Sequence, residues 1–231
     1  MDVGLFIAAS GMVAEQTRQD QLSNDLANAT TPGYKPDGSP QHSFGQVLLA
    51  NTLGPASVGS TVQGVALGKT YTDLTPGAIE ETGEPLDFAV QGNGFFAVRT
   101  AQGTRYTRNG QFIESATGVL TDANGNPVLS QSGGEIKVPG SGTLSASALG
   151  LFELSGAEKQ GQNLFTGAVS GKASGAVRQG ALEASGVDAA TVMVEMIGSL
   201  RSFQSGQQAI QAIGQTLNEA STQVGSLGGG A

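Results

Sequence analysis

Cysteine is absent from this chain, which removes disulfide frameworks, thiol nucleophiles and thiolate metal sites. Charge is scarce too. Only 13% of residues carry it, and 11 Lys and Arg stand against 19 Asp and Glu, for a net charge of −8. Nucleic acid requires several cations along a phosphate track, and no Lys/Arg cluster exists, so that partner is disfavoured. No run approaches the ~18 apolar residues of a membrane span. A cleavable leader is not expected either: position 2 is Asp, the first basic residue is Arg18, and the apolar run Leu5 to Ala9 is short. If the chain is exported, the expected route is another one. A single histidine, His42, lies in a polar stretch with no Ser–carboxylate arrangement beside it and no G-x-S-x-G in the chain, so a solvated histidine is the simpler reading.

What is abundant is glycine, 36 of 231 residues against the usual ~7%. With Ser, Thr, Ala and Gln it replaces the charges of an ordinary surface. The apolar residues then divide the chain. Near the N terminus, Leu5, Ala8, Met12, Glu15, Gln19, Leu22 and Leu26 keep a 3-4 spacing. Near the C terminus the spacing runs longer, through Ala189, Val192, Met196, Ser199, Phe203, Gly206, Ile210, Ile213, Leu217, Ala220 and Val224. Such spacing puts one seam on each helix, and a seam must be covered by another helix, from the same chain or a neighbouring copy. Met193, Ile197 and Leu200 add a second stripe, so the early half of the C-terminal helix is able to face two partners.

The first helix is expected over residues 3–30, closed by Thr31-Pro32-Gly33-Tyr34, which fits a type II turn. Residues 35–61 read as an extended linker whose apolar cluster Phe44, Val47, Leu48 and Leu49 makes a short helix or a docking patch. From about Val62 to Val177, short strands alternate with turn pairs. Gly92-Asn93-Gly94, Asn109-Gly110 and Asn124-Gly125 each predict a hairpin, the last two of type I′. A Gly/Ser/Ala-rich passage over 167–186 precedes the long helix, which starts near Val187 with Asp188 or Ser185 as N-cap and runs to about Val224, with Gly225 onward a frayed tail.

Several motifs have plainer readings. Gly92-Asn93-Gly94-Phe95-Phe96-Ala97 matches G-x-G-x-x-G/A, yet Phe95 to Val98 are β-formers, not the start of the helix that would hold a pyrophosphate. Asp122, Asn124 and Asn126 imitate an EF-hand, but Gly125 comes one place early and Gly133 stands where a bidentate Glu belongs. Asn28-Ala29-Thr30 is a glycosylation sequon on a helix, better explained by packing and capping. Glu80, Glu81 and Glu84 form a charged turn, since no cleft holds them as a glycosidase pair.

Four stretches resemble the bacterial flagellar rod and hook protein family. Leu22-Ser23-Asn24-Asp25-Leu26-Ala27-Asn28-Ala29-Thr30-Thr31-Pro32-Gly33-Tyr34-Lys35 is similar to its "NNLAN…T-x-GFK" signature. Pro85 to Val98, containing Gly92, Gly94, Phe95 and Phe96, resembles its "LD-A-x-G-x-GFF-V" strand pair, and Tyr106 to Phe112 its "YTR-G-F" element. Ser185 to Asp188, Glu195 to Ile197 and Arg201 to Gln204 resemble its C-terminal helix, with Gly186 where the family usually has Asn. The segment Phe44 to Leu49 is similar to the distal rod member, whereas Met1-Asp2 and Ala29 to Gly33 lean toward its proximal-rod homologue.

The expected fold is α+β: an antiparallel all-β central domain (62–184), a linker (35–61), and a coiled-coil-like helical domain from 1–34 and 185–231. The resemblance implies a non-enzymatic structural subunit without cofactor or metal, polymerising helically around an export channel. It implies the flagellum basal body as its location, other rod and hook proteins and the export apparatus as its partners, and secretion without cleavage. The seam residues Leu5, Ala8, Met12, Leu22, Leu26, Val192, Met196, Phe203, Ile210, Ile213 and Leu217 are the expected subunit interface, and Asn24, Leu26, Ala27, Asn28, Gly33, Tyr34, Gly92, Gly94, Phe95 and Phe96 the family motif. The competing reading is an extracellular β-domain binding module that the helices merely oligomerise. A hydrolase is weaker, lacking any nucleophile–base pair.

Overall fold

The computed structural model describes residues 3–50, 57–140, 142–161 and 163–227, with side chains except at 43–50, 57–63 and 224–227. Helix α1 (Val3–Ala27) is followed by β1 (Asp37–Gly38), β2 (Gln41–Ala50), β3 (Ser57–Leu67), β4 (Tyr71–Thr72) and β5 (Ile79–Glu81). Then come β6 (Phe88–Gln91), β7 (Phe95–Thr100), β8 (Gly103–Thr107), β9 (Ile113–Glu114), β10 (Leu120–Thr121) and β11 (Val128–Leu129). Strands β12 (Leu151–Gln160), β13 (Leu164–Lys172), β14 (Ala176–Gln179) and β15 (Ala181–Glu183) lead to α2 (Ala189–Leu227). Two helices and a central antiparallel β region make the chain α+β. It separates into two compact units: residues 1–24, 38–71 and 190–231, and residues 25–37 and 72–189.

In the first unit, α1 and α2 form because neither contains proline and both are rich in Ala, Gln and Leu, good helix formers. Helix α1 ends at Ala27, three residues earlier than the sequence suggested. Helix α2 continues to Leu227, past the expected frayed start at Gly225; residues 228–231 lie outside the described residues. The stretch expected as a linker holds an antiparallel pair instead: β2 runs against β3, with Gln41 opposite Leu67 and Leu49 opposite Gly59. The Phe44 to Leu49 backbone is therefore strand, not helix; the docking role of its side chains lies outside the described residues. An even distribution of Gly, Ser and Pro reads as linker, yet β2 gains a full ladder of backbone bonds from β3, a long-range partner that local composition does not reveal.

The second unit is built on β7. It pairs antiparallel with β8, β11 and β12, while β12 pairs with β13 and β13 with β8, so β7, β12, β13 and β8 close into a small ring. Alternation along β7 serves two cores. Phe95 and Ala97 enter one with Tyr106, Leu129 and Phe165; Phe96 and Val98 enter the other with Phe88, Val90, Phe112, Leu120, Val128 and Leu151. Phe96 is edge-on to Phe112 at 5.3 Å and Phe95 tilts against Phe165 at 5.3 Å.

The hairpin expectations need correction. Gly92 and Gly94 do turn the chain, at φ +92° and +136°, but β6 then pairs with β14 rather than with β7. A Cβ on Gly94 would lie 2.7 Å from both Ala173 Cβ and Leu151 Cγ, so the turn is also a packing contact. The hairpin around Arg105 to Thr107 closes through residues 100–103 to β7, not through Asn109-Gly110. The turn of Asp122 to Asn126 does reverse the chain, with Thr121 bridged to Pro127. Among the described residues only glycines have positive φ, so neither Asn-Gly pair is a type I′ turn.

Candidate functional site

In the helical unit the two seams meet. Ser199 Oγ donates to Glu15 O at 3.1 Å, Gly206 sits where a Cβ would lie 2.7 Å from Met12 Cγ, and Gly4 faces Ile213 Cδ1. Contacts that rise along α2 while falling along α1 make the helices antiparallel. Arg18 and Glu195 close an exposed ion pair beside them at 3.4 Å. The cover is incomplete. Ala8, Met12, Val192, Met196, Phe203, Ile210 and Ile213 are only half-buried, Leu5 is 37% exposed, and of the apolar seam positions in this unit only Leu22 is buried. Leu217, one turn beyond the Ile213 that Gly4 faces, is 47% exposed. Val224's side chain lies outside the described residues. The second stripe, Met193, Ile197 and Leu200, is about half exposed throughout.

In the β unit the motif residues after α1 form a joint. Tyr34 N–H donates to Thr31 O, and Gly33 has φ +65°, the geometry the type II turn demands. A Cβ on Gly33 would stand 2.4 Å from the carbonyl carbon of Arg108, so no other residue fits. Its N–H donates to Glu183 O at 2.8 Å. Tyr34 is 1% exposed and its hydroxyl donates to Asp25 Oδ1 at 2.8 Å. The Lys159 ammonium lies 4.0 Å from the Tyr34 ring centroid and pairs with Asp37 at 3.0 Å.

Behind this turn lies a buried ionic cluster. Glu183 accepts from Lys35 Nζ at 2.5 Å, from Arg108 Nη1 at 3.2 Å and from Gly77 N–H at 2.7 Å; Lys35 also donates to Thr75 O. All three side chains are at most 2% exposed. Arg108 additionally lies 5.1 Å from the Phe95 ring centroid. One carboxylate thus ties Lys35, Gly77 and Arg108, from three separate stretches of this unit, to β15. Burial lowers the Arg108 guanidinium's pKa, opposed by Glu183, and raises the Tyr34 phenol and the Asp25 carboxyl; the Tyr34 hydrogen bond to Asp25 raises the phenol further and opposes the shift of the carboxyl.

Three family models match in order along the chain: the flagella basal body rod protein model at residues 5–35, the flagellar hook protein FlgE/F/G D1 domain at 89–154, and the flagellar basal body rod FlgEFG protein C-terminal model at 178–223. The flagellar basal-body rod protein FlgG of Bacillus subtilis (strain 168) is 31% identical, over 93% of this chain and 96% of its own length. The chain belongs to the flagellar basal-body rod protein family. FlgF of Escherichia coli (strain K12) is 30% identical over 95% of this chain and 97% of its own length, and the hook-basal body complex protein FlhO of Bacillus subtilis is 29% identical over 97% and 99%. These relatives are structural rod proteins, not enzymes.

The rod family's motif residues have unequal places here. Asn28, Gly33, Tyr34, Gly94, Phe95 and Phe96 are buried, Leu26 is half-buried, and Asn24, Ala27 and Gly92 are exposed. Gly186, where the family usually has Asn, donates its N–H to Tyr34 O, and a Cβ there would meet Pro36 Cδ at 2.9 Å. Ser185 is not the N-cap of α2: it donates to Asn28 O and accepts from Val187 N–H, leaving Asp188 directly before the helix. Sequence reasoning missed Asp25, Arg108, Lys159 and Glu183. The signal available was scarcity, since a charge inside a strand pattern of so uncharged a chain needs a partner. The dismissed motifs stay ordinary: His42, Glu80 and Glu84 are exposed, Glu81 pairs with Arg178, and both Asp122 oxygens accept bonds from Asn124 and Asn126.

Proposed function

We propose that this chain polymerises helically through its terminal helices as a subunit of the flagellar basal-body rod, around an axial channel. It reaches that site through the flagellar export apparatus and joins other rod and hook proteins there. The observation that carries this reading is the half-covered seam. A helix draws most of its stability from packing its apolar face, and in one copy Val192, Met196, Phe203, Ile210 and Ile213 each remain partly open to water. Neighbouring copies complete the cover, which couples full ordering of the helices to assembly.

Hydrogen exchange tests this directly. Amides of α1 and α2 exchange rapidly in dilute monomer and become protected in polymer, while those of β7 are protected in both. Full protection of the helices at high dilution overturns coupled ordering. Replacing Ile210→Asp places a charge in the seam and is expected to abolish incorporation into polymer, read by sedimentation, with the near-ultraviolet signal of the β unit unchanged.

A further inference from the structure

The helical unit carries two apolar stripes outside the α1–α2 seam. On α1 these are Phe6, 54% exposed, the half-buried Ala9, and Val13, 62% exposed. On α2 they are Met193, Ile197 and Leu200, at 48%, 53% and 42%. We propose that the α1 stripe of one copy docks on the α2 stripe of the next, in the same antiparallel sense as the helices within one chain. This rests on the polymerisation reading and names the faces that carry it.

The spacing selects the sense. Along α1 the steps are three and then four residues, Phe6 to Ala9 to Val13. Read backwards along α2 they are again three and then four, Leu200 to Ile197 to Met193. Antiparallel pairing therefore brings Phe6 to Leu200, Ala9 to Ile197 and Val13 to Met193, whereas parallel pairing puts the central residues one position out of step. The small Ala9 at the middle leaves room for the β-branched Ile197. Continuity supports the same occupant. Met193, Ile197 and Leu200 directly follow the seam residues Val192, Met196 and Ser199, so a helix laid there extends the layer that α1 and α2 already form.

Two consequences follow. Because α1 of one copy runs against α2 of the next just as it does within a chain, both copies point the same way. Within a chain, Met12 stands at the level of Gly206, whereas in the new contact Val13 stands at the level of Met193. That offset of about twelve residues displaces neighbouring copies by ~18 Å along the helices, at 1.5 Å per residue. A staggered contact between unlike faces does not close on itself and generates an open array. Six part-exposed side chains also fall short of the roughly 1,200 Å² a stable pair needs. A copy held at one stripe leaves readily, and one held at both stays.

The cysteine-free chain makes the test clean. Full-length Val13→Cys and Met193→Cys variants, each checked for unchanged circular dichroism, are mixed under assembling and oxidising conditions, as are Phe6→Cys with Leu200→Cys. Both mixtures are expected to form disulfide-linked pairs about tenfold faster than the out-of-step mixture Phe6→Cys with Met193→Cys, since bridging needs close Cβ atoms. If the parent chain polymerises but the matched pairs link no faster than the mismatched one, this contact is wrong and the polymerisation reading survives. If Val13→Cys links to itself as fast, the contact is symmetric and the proposal falls. If the parent chain forms no polymer at any concentration, both readings fall.

Discussion

The two compact units solve the burial problem in opposite ways. The β unit hides Phe88, Phe96, Leu120, Val128 and Phe165 at 0% exposure and even takes in Glu183, Lys35 and Arg108. The helical unit leaves Val3, Phe6, Val13, Met193, Val194 and Ile197 about half or more exposed. The difference follows from geometry. Strands that close into a ring surround a core from one chain, whereas two antiparallel helices share one seam and leave each outer face open. The β unit is thus complete alone, and the helical unit is suited to be completed from outside.

Perturbations inside the β unit should therefore be large and independent of assembly. The greatest is Phe96→Ala. It empties a site walled by Phe88, Phe112 and Leu151 and is expected to cost about 3–5 kcal/mol, read as a lower urea midpoint for the β unit at any protein concentration. Next is Glu183→Gln. The shape survives, but Lys35 and Arg108 lose the carboxylate that they share in a dry site, and stranding buried charge costs about 3 kcal/mol. The same urea measurement checks it. A loss that instead depended on protein concentration would mean that the cluster serves assembly rather than the β unit.

Legibility followed the range of the interactions. The heptad steps of α1 and α2 are local and regular, so both helices could be read; Ser199 and Gly206 touch α1 in the same chain. The turn at Gly33 was readable because Pro32 and Gly33 constrain φ directly. Strand pairing was not. The Gly92 turn carries a hairpin's chemistry, but β6 leaves for β14, some eighty residues on, and only tertiary packing decides that. The β2–β3 pair hid within a composition that reads as linker. Glu183 was invisible for the same reason, being 148 residues from Lys35 and 75 from Arg108.

A loss of comparable size is expected from Gly33→Ala. Left-handed backbone alone costs a residue with a Cβ about 1–2 kcal/mol, and the Arg108 backbone, 2.4 Å from that Cβ, must also be displaced. The loss appears as a lowered midpoint with an unchanged urea slope.

The smallest effect is a pH dependence at Asp25. Burial raises its pKa above the ordinary aspartate value of 3.8, only partly offset by the Tyr34 hydroxyl that donates to it. The folded state therefore holds this proton more tightly than the unfolded state does. Its contribution to stability is fully present below pH 3.8 and is lost as pH rises through the folded pKa. An Asp25→Asn variant keeps an oxygen for Tyr34 but no proton to release. Its stability difference from the parent should shift in its own favour across that window and stay constant above it. Matched urea melts at pH 4 and pH 7 measure this. A difference that moved the other way would mean that the carboxylate is held charged by Lys159, which would place the cation above Tyr34 in command of the joint.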